Sequence, residues 1–153
     1  MHDDLIEFIV QIKKMGFKVK LDSNGTRPDI IKTVLHEQLV DYIAMDIKAP
    51  LSKYSHTVAR PVDADAIAQS IALLKEGNVA YEFRTTVVKS LLSPEDIEQI
   101  GKDIAGASQY FLQRFVSTKI LNPAFVRKTT YSDQEFESFV EMLQPYVTHC
   151  SVR

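Results

Sequence analysis

The chain has 153 residues, 45% of them apolar and 25% charged, with a net charge of -2. That balance fits one globular domain over residues 1–153 and excludes collagenous, low-complexity or strongly basic nucleic-acid-binding chains. No apolar run approaches the ~20 residues a membrane span needs. The start Met1-His2-Asp3-Asp4 has no signal-peptide apolar region. The single cysteine, Cys150, leaves no internal disulfide and points to a reducing cytoplasm. Neither nucleic acid nor membrane is expected as a partner.

Asp3-Asp4 opens a predicted helix in which Leu5, Phe8, Ile9 and Ile12 form an apolar stripe at helical spacing. Lys13-Lys14 suit the carboxyl end of its dipole, and Gly16 is the candidate terminator. Phe17 to Leu21 alternates like an edge strand. It runs into the turn Asp22-Ser23-Asn24-Gly25-Thr26, where glycine allows positive φ. Pro28 suits the first turn of a second helix to about Gln38, with Ile30, Ile31, Val34, Leu35 and Leu39 inward.

The stretch Asp41 to Pro50 organises the chain. Tyr42 to Met45 reads as a buried parallel strand. Asp46 and Lys48 follow at a spacing of two, so both side chains point to one side of the sheet. Pro50, with no N–H to donate, ends the strand at about residue 48. A carboxylate beside an ammonium at the carboxyl end of a parallel strand marks either a ligand site or a structural ion pair. From this stretch alone both readings stay open. The polar connection Leu51–Val62, with Lys53, Tyr54, His56 and Arg60, reads as a lid or as solvated surface.

Asp63 caps a third helix with Ile67, Ile71 and Leu74 inward, ended by Gly77. Ala80 to Val88 is the third strand, with Arg84 and Thr86 on one face. Ser93-Pro94-Glu95-Asp96 starts a helix to about Ala105 with Ile97, Ile100 and Ile104 inward. Gln109 to Val116 is the fourth strand, and a polar loop with Asn122-Pro123 and Lys128 follows. Ser132-Asp133-Gln134-Glu135 is a capping box for a last helix, and Thr148 to Val152 is a short final strand. This is an α/β alternation, which calls for a parallel sheet with right-handed crossovers. Three successive strand ends, Asp22, then Asp46 with Lys48, then Arg84 with Thr86, bring ionisable groups to one rim. That favours a ligand site.

Asp22-Ser23-Asn24-Gly25, Asp46-Ile47-Lys48 and Arg84-Thr85-Thr86-Val87-Val88 together resemble the second half of a radical S-adenosylmethionine enzyme of the glycyl-radical-activating branch. Tyr42-Ile43-Ala44-Met45 before the acid and Tyr110 to Phe115 strengthen the likeness, which covers essentially the whole chain. Within the branch the chain is most similar to activating proteins of anaerobic ribonucleoside-triphosphate reductase and, further off, to pyruvate formate-lyase activating enzymes. The resemblance implies the carboxyl-terminal part of a partial (βα)6, TIM-like barrel with its cofactors at the carboxyl ends of the strands. It implies that the intact protein reductively cleaves S-adenosylmethionine at a [4Fe–4S] cluster. The resulting 5′-deoxyadenosyl radical then takes a hydrogen from a glycine of a partner glycyl radical enzyme. It places Asp46 and Lys48 at the cofactor's methionine end and ribose, and Arg84 and Thr86 in the same pocket. It makes Asp22, Ser23 and Asn24 of the turn cofactor-binding residues as well, and Asp22 with Asp46 a candidate monovalent-cation site.

The chain lacks the CxxxCxxC loop whose thiolates hold the cluster, the Gly-Gly-Glu strand end of the family, and a histidine near the end of the fourth strand, where Phe115 stands. It therefore reads as a carboxyl-terminal fragment with no catalytic residue of its own, inactive alone and not expected to bind either cofactor tightly. An uncovered edge near Val19, or the first helix, is expected to make it a homodimer. Two other readings compete. One is a barrel hydrolase or lyase with a divalent metal on Asp22 and Asp46. The other is a non-catalytic half-barrel serving as an interaction module. His36-Glu37 lacks the second histidine of a zinc helix, and His149 beside Cys150 lacks further ligands.

Overall fold

Helices and strands alternate along the chain, as the switching period of its apolar residues predicts. The computed structural model describes residues 4–117, 125 and 127–153. Their order is α1 (Leu5–Lys14), β1 (Lys20–Ser23), α2 (Pro28–His36), β2 (Tyr42–Asp46), a 3-10 turn (Leu51–Lys53) leading into α3 (Tyr54–Thr57), α4 (Ala64–Glu76), β3 (Ala80–Val87), α5 (Pro94–Asp103), β4 (Ala107–Arg114), α6 (Asp133–Leu143) and β5 (Val147–Val152). The strands form one sheet in the order β1-β2-β3-β4-β5, and every neighbouring pair is parallel.

Sequential parallel order fixes where the helices lie. Each right-handed crossover that steps to the next strand in the same direction puts its helix on the same side. One face of the sheet is thus covered and the other is open. On the covered face Ile43, Met45, Phe83, Tyr110 and Leu112 are fully buried. They meet Ile31 and Val34 of α2, Ile67, Ile71 and Leu74 of α4, Ile97 and Ile100 of α5, and Phe136 and Leu143 of α6. Each such side chain contributes about 1.5–3 kcal/mol when fully buried. The buried Thr85 hydroxyl donates to the Ile47 carbonyl and accepts from Tyr110, both at 2.8 Å. Among the described residues no buried side-chain nitrogen or oxygen lacks a hydrogen-bond partner.

The helix ends follow local chemistry. Asp63 accepts from the N–H groups of Asp65 and Ala66. Ser93 with Asp96 and Ser132 with Glu135 both close capping boxes. Gly16, at φ +84, terminates α1: its N–H donates to the Lys13 carbonyl and that of Phe17 to Ile12, at 2.9 and 3.4 Å. That pair is a Schellman motif.

Five expectations need correction. The first strand is Lys20–Ser23, starting three and ending two residues later than the alternating run Phe17–Leu21, because its ladder begins with Lys20 beside Tyr42. Val19 is held just before the ladder by Asp41, whose N–H donates to its carbonyl and whose Oδ2 accepts from its N–H. The organising strand is likewise shorter, Tyr42–Asp46, since Asp41 serves that contact. The fourth strand starts at Ala107, where pairing with Val147 begins, and Val116 lies exposed beyond its end. On α1 the buried position is Ile9, with Leu5 and Ile6 packed beside it, while Phe8 points to solvent. The connection after β2 is helical and anchored: Lys53 pairs with Asp96, and the Leu51 N–H donates to Asp103. Asn122-Pro123 lies outside the described residues.

Candidate functional site

Alternation along each strand sends every second side chain to the open face. The registers set Asp22 beside Ala44, Ala44 beside Glu82, and Asp46 beside Arg84. Further across, Arg84 adjoins Phe111, Thr86 adjoins Gln113, and Phe111 adjoins Ser151. Asp22, Asp46, Arg84 and Thr86 therefore share the open face, and Lys48 joins them at the carboxyl rim.

Arg84 is the hub. Its Nε donates to Asp46 Oδ1 at 2.9 Å, and its Nη1 and Nη2 lie 3.4 and 3.3 Å from Asp22 Oδ2. Lys48 Nζ donates to Asp46 Oδ2 at 2.8 Å, and Lys20 Nζ lies 3.5 Å from Asp22 Oδ1. Burial opposes the Arg84 charge, but the Asp46 and Asp22 carboxylates together outweigh it and hold the guanidinium above its ordinary pKa. The exposed Lys20–Asp22 pair stabilises a fold by about 0–1 kcal/mol, and the half-buried pairs of Arg84 and Asp46 offset their attraction against desolvation. The cluster is thus more telling as a concentration of charge at a strand-end rim than as a source of stability.

The backbone carrying Asp46 and Lys48 is fixed from below. Tyr54, buried on α3, accepts from the Lys48 N–H at 3.1 Å, and its hydroxyl lies 3.4 Å from the Asp46 carbonyl, to which it donates. Burial raises the Tyr54 pKa, which keeps that hydroxyl protonated. Thr85 holds the Ile47 carbonyl between them. Tyr54 thus supports the site from within the core and is no part of a lid.

A second cluster adjoins the first. Glu82, only 2% exposed, accepts from Arg153 Nη1 and Nη2, each at 3.0 Å, and from the Tyr42 hydroxyl at 2.9 Å. Its Oε1 lies 3.9 Å from Arg84 Nη1, which joins the clusters. The Arg153 guanidinium sits 3.4 Å from the Phe111 ring centroid, a cation–π contact. Burial, reinforced by Glu82, pushes the Tyr42 hydroxyl up to about 12. Glu82, Tyr42 and Arg153 were absent from the sequence-derived site. The spacing of two that links Asp46 to Lys48 also leads from Arg84 back to Glu82, so that signal was present. Arg153 had no local signal, because its place depends on β5 pairing with β4.

The turn after β1 is held by its own side chains. Ser23 Oγ accepts from the Gly25 N–H at 3.0 Å, and Asn24 Oδ1 accepts from the Thr26 N–H and hydroxyl at 3.1 and 2.8 Å. Gly25 has φ +75, and a Cβ there would lie 2.0 Å from Met45 Cε. Ser23 and Asn24 thus shape the turn, while Asp22 alone of the three reaches the ion cluster. Thr86 stands exposed, its hydroxyl 3.4 Å from Gln113 Oε1.

The rim offers both signs of charge and a hydroxyl on an open strand-end face, with Asp22 and Asp46 paired to Arg84 and Lys48 to Asp46. It offers no thiolate to an iron–sulfur cluster. Cys150, the one cysteine, pairs with Tyr110 on the covered face, and burial pushes its thiol up to about 11. The cation bridging Asp22 and Asp46 is Arg84 itself. Among the described residues no group of three or more His, Cys, Asp or Glu is placed to hold a metal ion. A larger groove of about 870 Å³ lies at the opposite end of the sheet, lined by Lys13, Lys18, Lys32, His36 and Asp41 among others. It gathers none of the strand-end residues. Among the described residues no helix is long and apolar enough to cross a membrane.

No protein-family model matches the chain. It is 31% identical over 155 residues to the "Putative glycyl-radical enzyme activating enzyme" of Methanocaldococcus jannaschii, a match covering 99% of this chain and 65% of that protein. The chain thus spans just under two thirds of that relative's length. A domain of pyruvate-formate lyase-activating enzyme from Bacteroides vulgatus superposes with a TM-score of 0.74 at 13% identity, covering 97% of this chain and 89% of that one. A radical SAM methyltransferase from Sphaerobacter thermophilus superposes at 0.67 and 16% identity, covering 91% and 42%. At these identities the two structures show the fold: parallel strands alternating with helices, as in radical SAM partial barrels.

Proposed function

We propose, from the relation of this chain to the radical S-adenosylmethionine glycyl-radical-enzyme activating enzymes, that its open sheet face forms the carboxyl-terminal part of an S-adenosylmethionine site. The observation that carries this reading is the rim cluster of Asp22, Asp46, Lys48 and Arg84 on the open face. Lys48 would meet the cofactor's carboxylate or ribose, the two aspartates its positive groups, and Thr86 would add a hydroxyl. When bound, S-adenosylmethionine supplies the adenosyl group that such enzymes use. The partner in this reading is a glycyl radical enzyme, with an anaerobic ribonucleoside-triphosphate reductase as the candidate, in the cytoplasm.

This chain contributes the pocket wall and supplies no three-thiolate set for a [4Fe–4S] cluster. Alone, it is therefore proposed to bind S-adenosylmethionine weakly and to leave it uncleaved. The test is two-dimensional NMR of the isotope-labelled chain titrated with S-adenosylmethionine to roughly 10 mM, enough to reveal a site as weak as ~1 mM. Saturating shifts should centre on Asp22, Asp46, Lys48, Arg84 and Thr86 and disappear in Asp46→Ala. Shifts confined to other surfaces, or none at all, would overturn the assignment.

A further inference from the structure

The outward face of α1 is unlike the rest of the surface. Four large apolar side chains are strongly exposed among the described residues, and three lie within ten positions: Phe8 at 62%, Met15 at 67% and Phe17 at 58%. At 3.6 residues per turn, Asp4, Glu7, Phe8, Gln11, Lys14 and Met15 fall on one side of the helix axis. All six are exposed, and Ile9 points the opposite way into the core. Phe8 and Met15 stand two turns apart on this otherwise polar face, with Phe17 exposed just past the helix end, so three of the four strongly exposed large apolar side chains among the described residues gather at α1. Such a local concentration marks an interaction surface.

The charges on this face select the occupant. Its amino end carries Asp4 and Glu7, and its carboxyl end carries Lys14. Among the described residues Glu7 and Lys14 have no ion-pair partner within the chain. We propose that this face binds a second copy of the chain, α1 against α1 in antiparallel orientation about a two-fold axis at Gln11. In that arrangement Phe8 and Met15 of one copy pack beside Lys14 and Glu7 of the other, along the aliphatic stem of the lysine. Glu7 reaches Lys14 of the mate. Each contact occurs twice, as an isologous interface requires. The opposed helix dipoles attract as well. A parallel pairing would set acid against acid and base against base.

One helix pair makes a small interface, so the dimer is of the concentration-dependent kind. Sedimentation velocity on the 153-residue chain should show the mass move from one copy toward two across roughly 1–500 μM. Phe8→Glu with Met15→Glu should abolish the dimer. Glu7→Lys alone should weaken it by at least about tenfold, and Glu7→Lys with Lys14→Glu should restore it, because the charges are merely exchanged across the axis. In a Cys150→Ser background, Gln11→Cys should form an intermolecular disulfide under mild oxidation. Glu137→Cys, on the distant surface of α6, should not. These positions are exposed, so thermal melts report whether each variant keeps its fold. A chain that stays monomeric across the range overturns the proposal, whatever else covers α1 in a longer protein. So does a dimer indifferent to the Phe8 and Met15 changes, a charge swap that fails to rescue, or equal cross-linking at 11 and 137.

Discussion

Glu82 and Arg153 meet across the open face of the sheet, with both carboxylate oxygens taken by the two terminal guanidinium nitrogens at 3.0 Å. The acid is buried and the arginine half exposed. Removing the arginine alone would leave a charge with little water and only the Tyr42 hydroxyl in hydrogen-bonding contact. Arg153→Ala is therefore expected to destabilise the chain by about 2–3 kcal/mol. Glu82→Gln added to it should recover part of that loss, since the buried charge is gone. Urea denaturation of the two variants decides. If the double variant is no more stable than the single, packing of Arg153 on Phe111 is the larger contribution.

Gly25→Ala tests the turn that carries β1 into α2. The glycine sits at positive φ, where an added Cβ would meet the fully buried Met45. Left-handed backbone costs a non-glycine residue about 1–2 kcal/mol, and displacing Met45 adds to that. A total of about 2–4 kcal/mol is expected. A denaturation midpoint equal to that of the parent would mean that the turn relaxes freely.

Glu135 links acid stability to one capping box. Lys89, together with the N–H and hydroxyl of Ser132, holds its carboxyl at about 2, against an ordinary value of 4.5. Because the folded value lies below the unfolded one, its contribution is complete above pH 4.5 and is lost as pH falls through about 2. The parent's melting temperature should therefore drop more steeply between about pH 5 and pH 2 than that of Glu135→Gln. Parallel curves for the two proteins would remove Glu135 from the acid transition.

Cys150 should behave as an inert thiol. Burial pushes it up to about 11, so near pH 8 almost none of it is the reactive thiolate. Reaction with an aromatic disulfide reagent should be slow in the native chain and accelerate sharply in urea. Equal rates in both states would mean that the β5 edge opens readily.

Features that depend on near neighbours could be read from residue order. Ser93 with Asp96, Ser132 with Glu135, Asp63 before Ala64 and Gly16 after α1 each satisfy helix-end groups a few residues away. Their chemistry is complete within one turn. The alternation of helix and strand was legible for the same reason, as was the rim of Asp22, Asp46, Lys48, Arg84 and Thr86. A parallel strand delivers its last side chains to the same edge of any sheet it joins.

Strand limits were not legible, because a ladder starts where a partner exists. Lys20 begins β1 and Ala107 begins β4 through residues more than twenty and about forty positions away. The helical stripe of α1 fitted both Phe8 and Ile9, and only the placement of the sheet chose Ile9. The hydrogen bonds that Ser23 and Asn24 make to Gly25 and Thr26 are local, but the close approach of Met45 to Gly25 comes from a distant strand. Arg153 joins Glu82 solely because β5 pairs beside β4. Local hydrogen bonding and periodicity therefore determined the elements and the charged rim. Long-range pairing, whose partners are distant in the chain, decided which charges touch across the open face of the sheet.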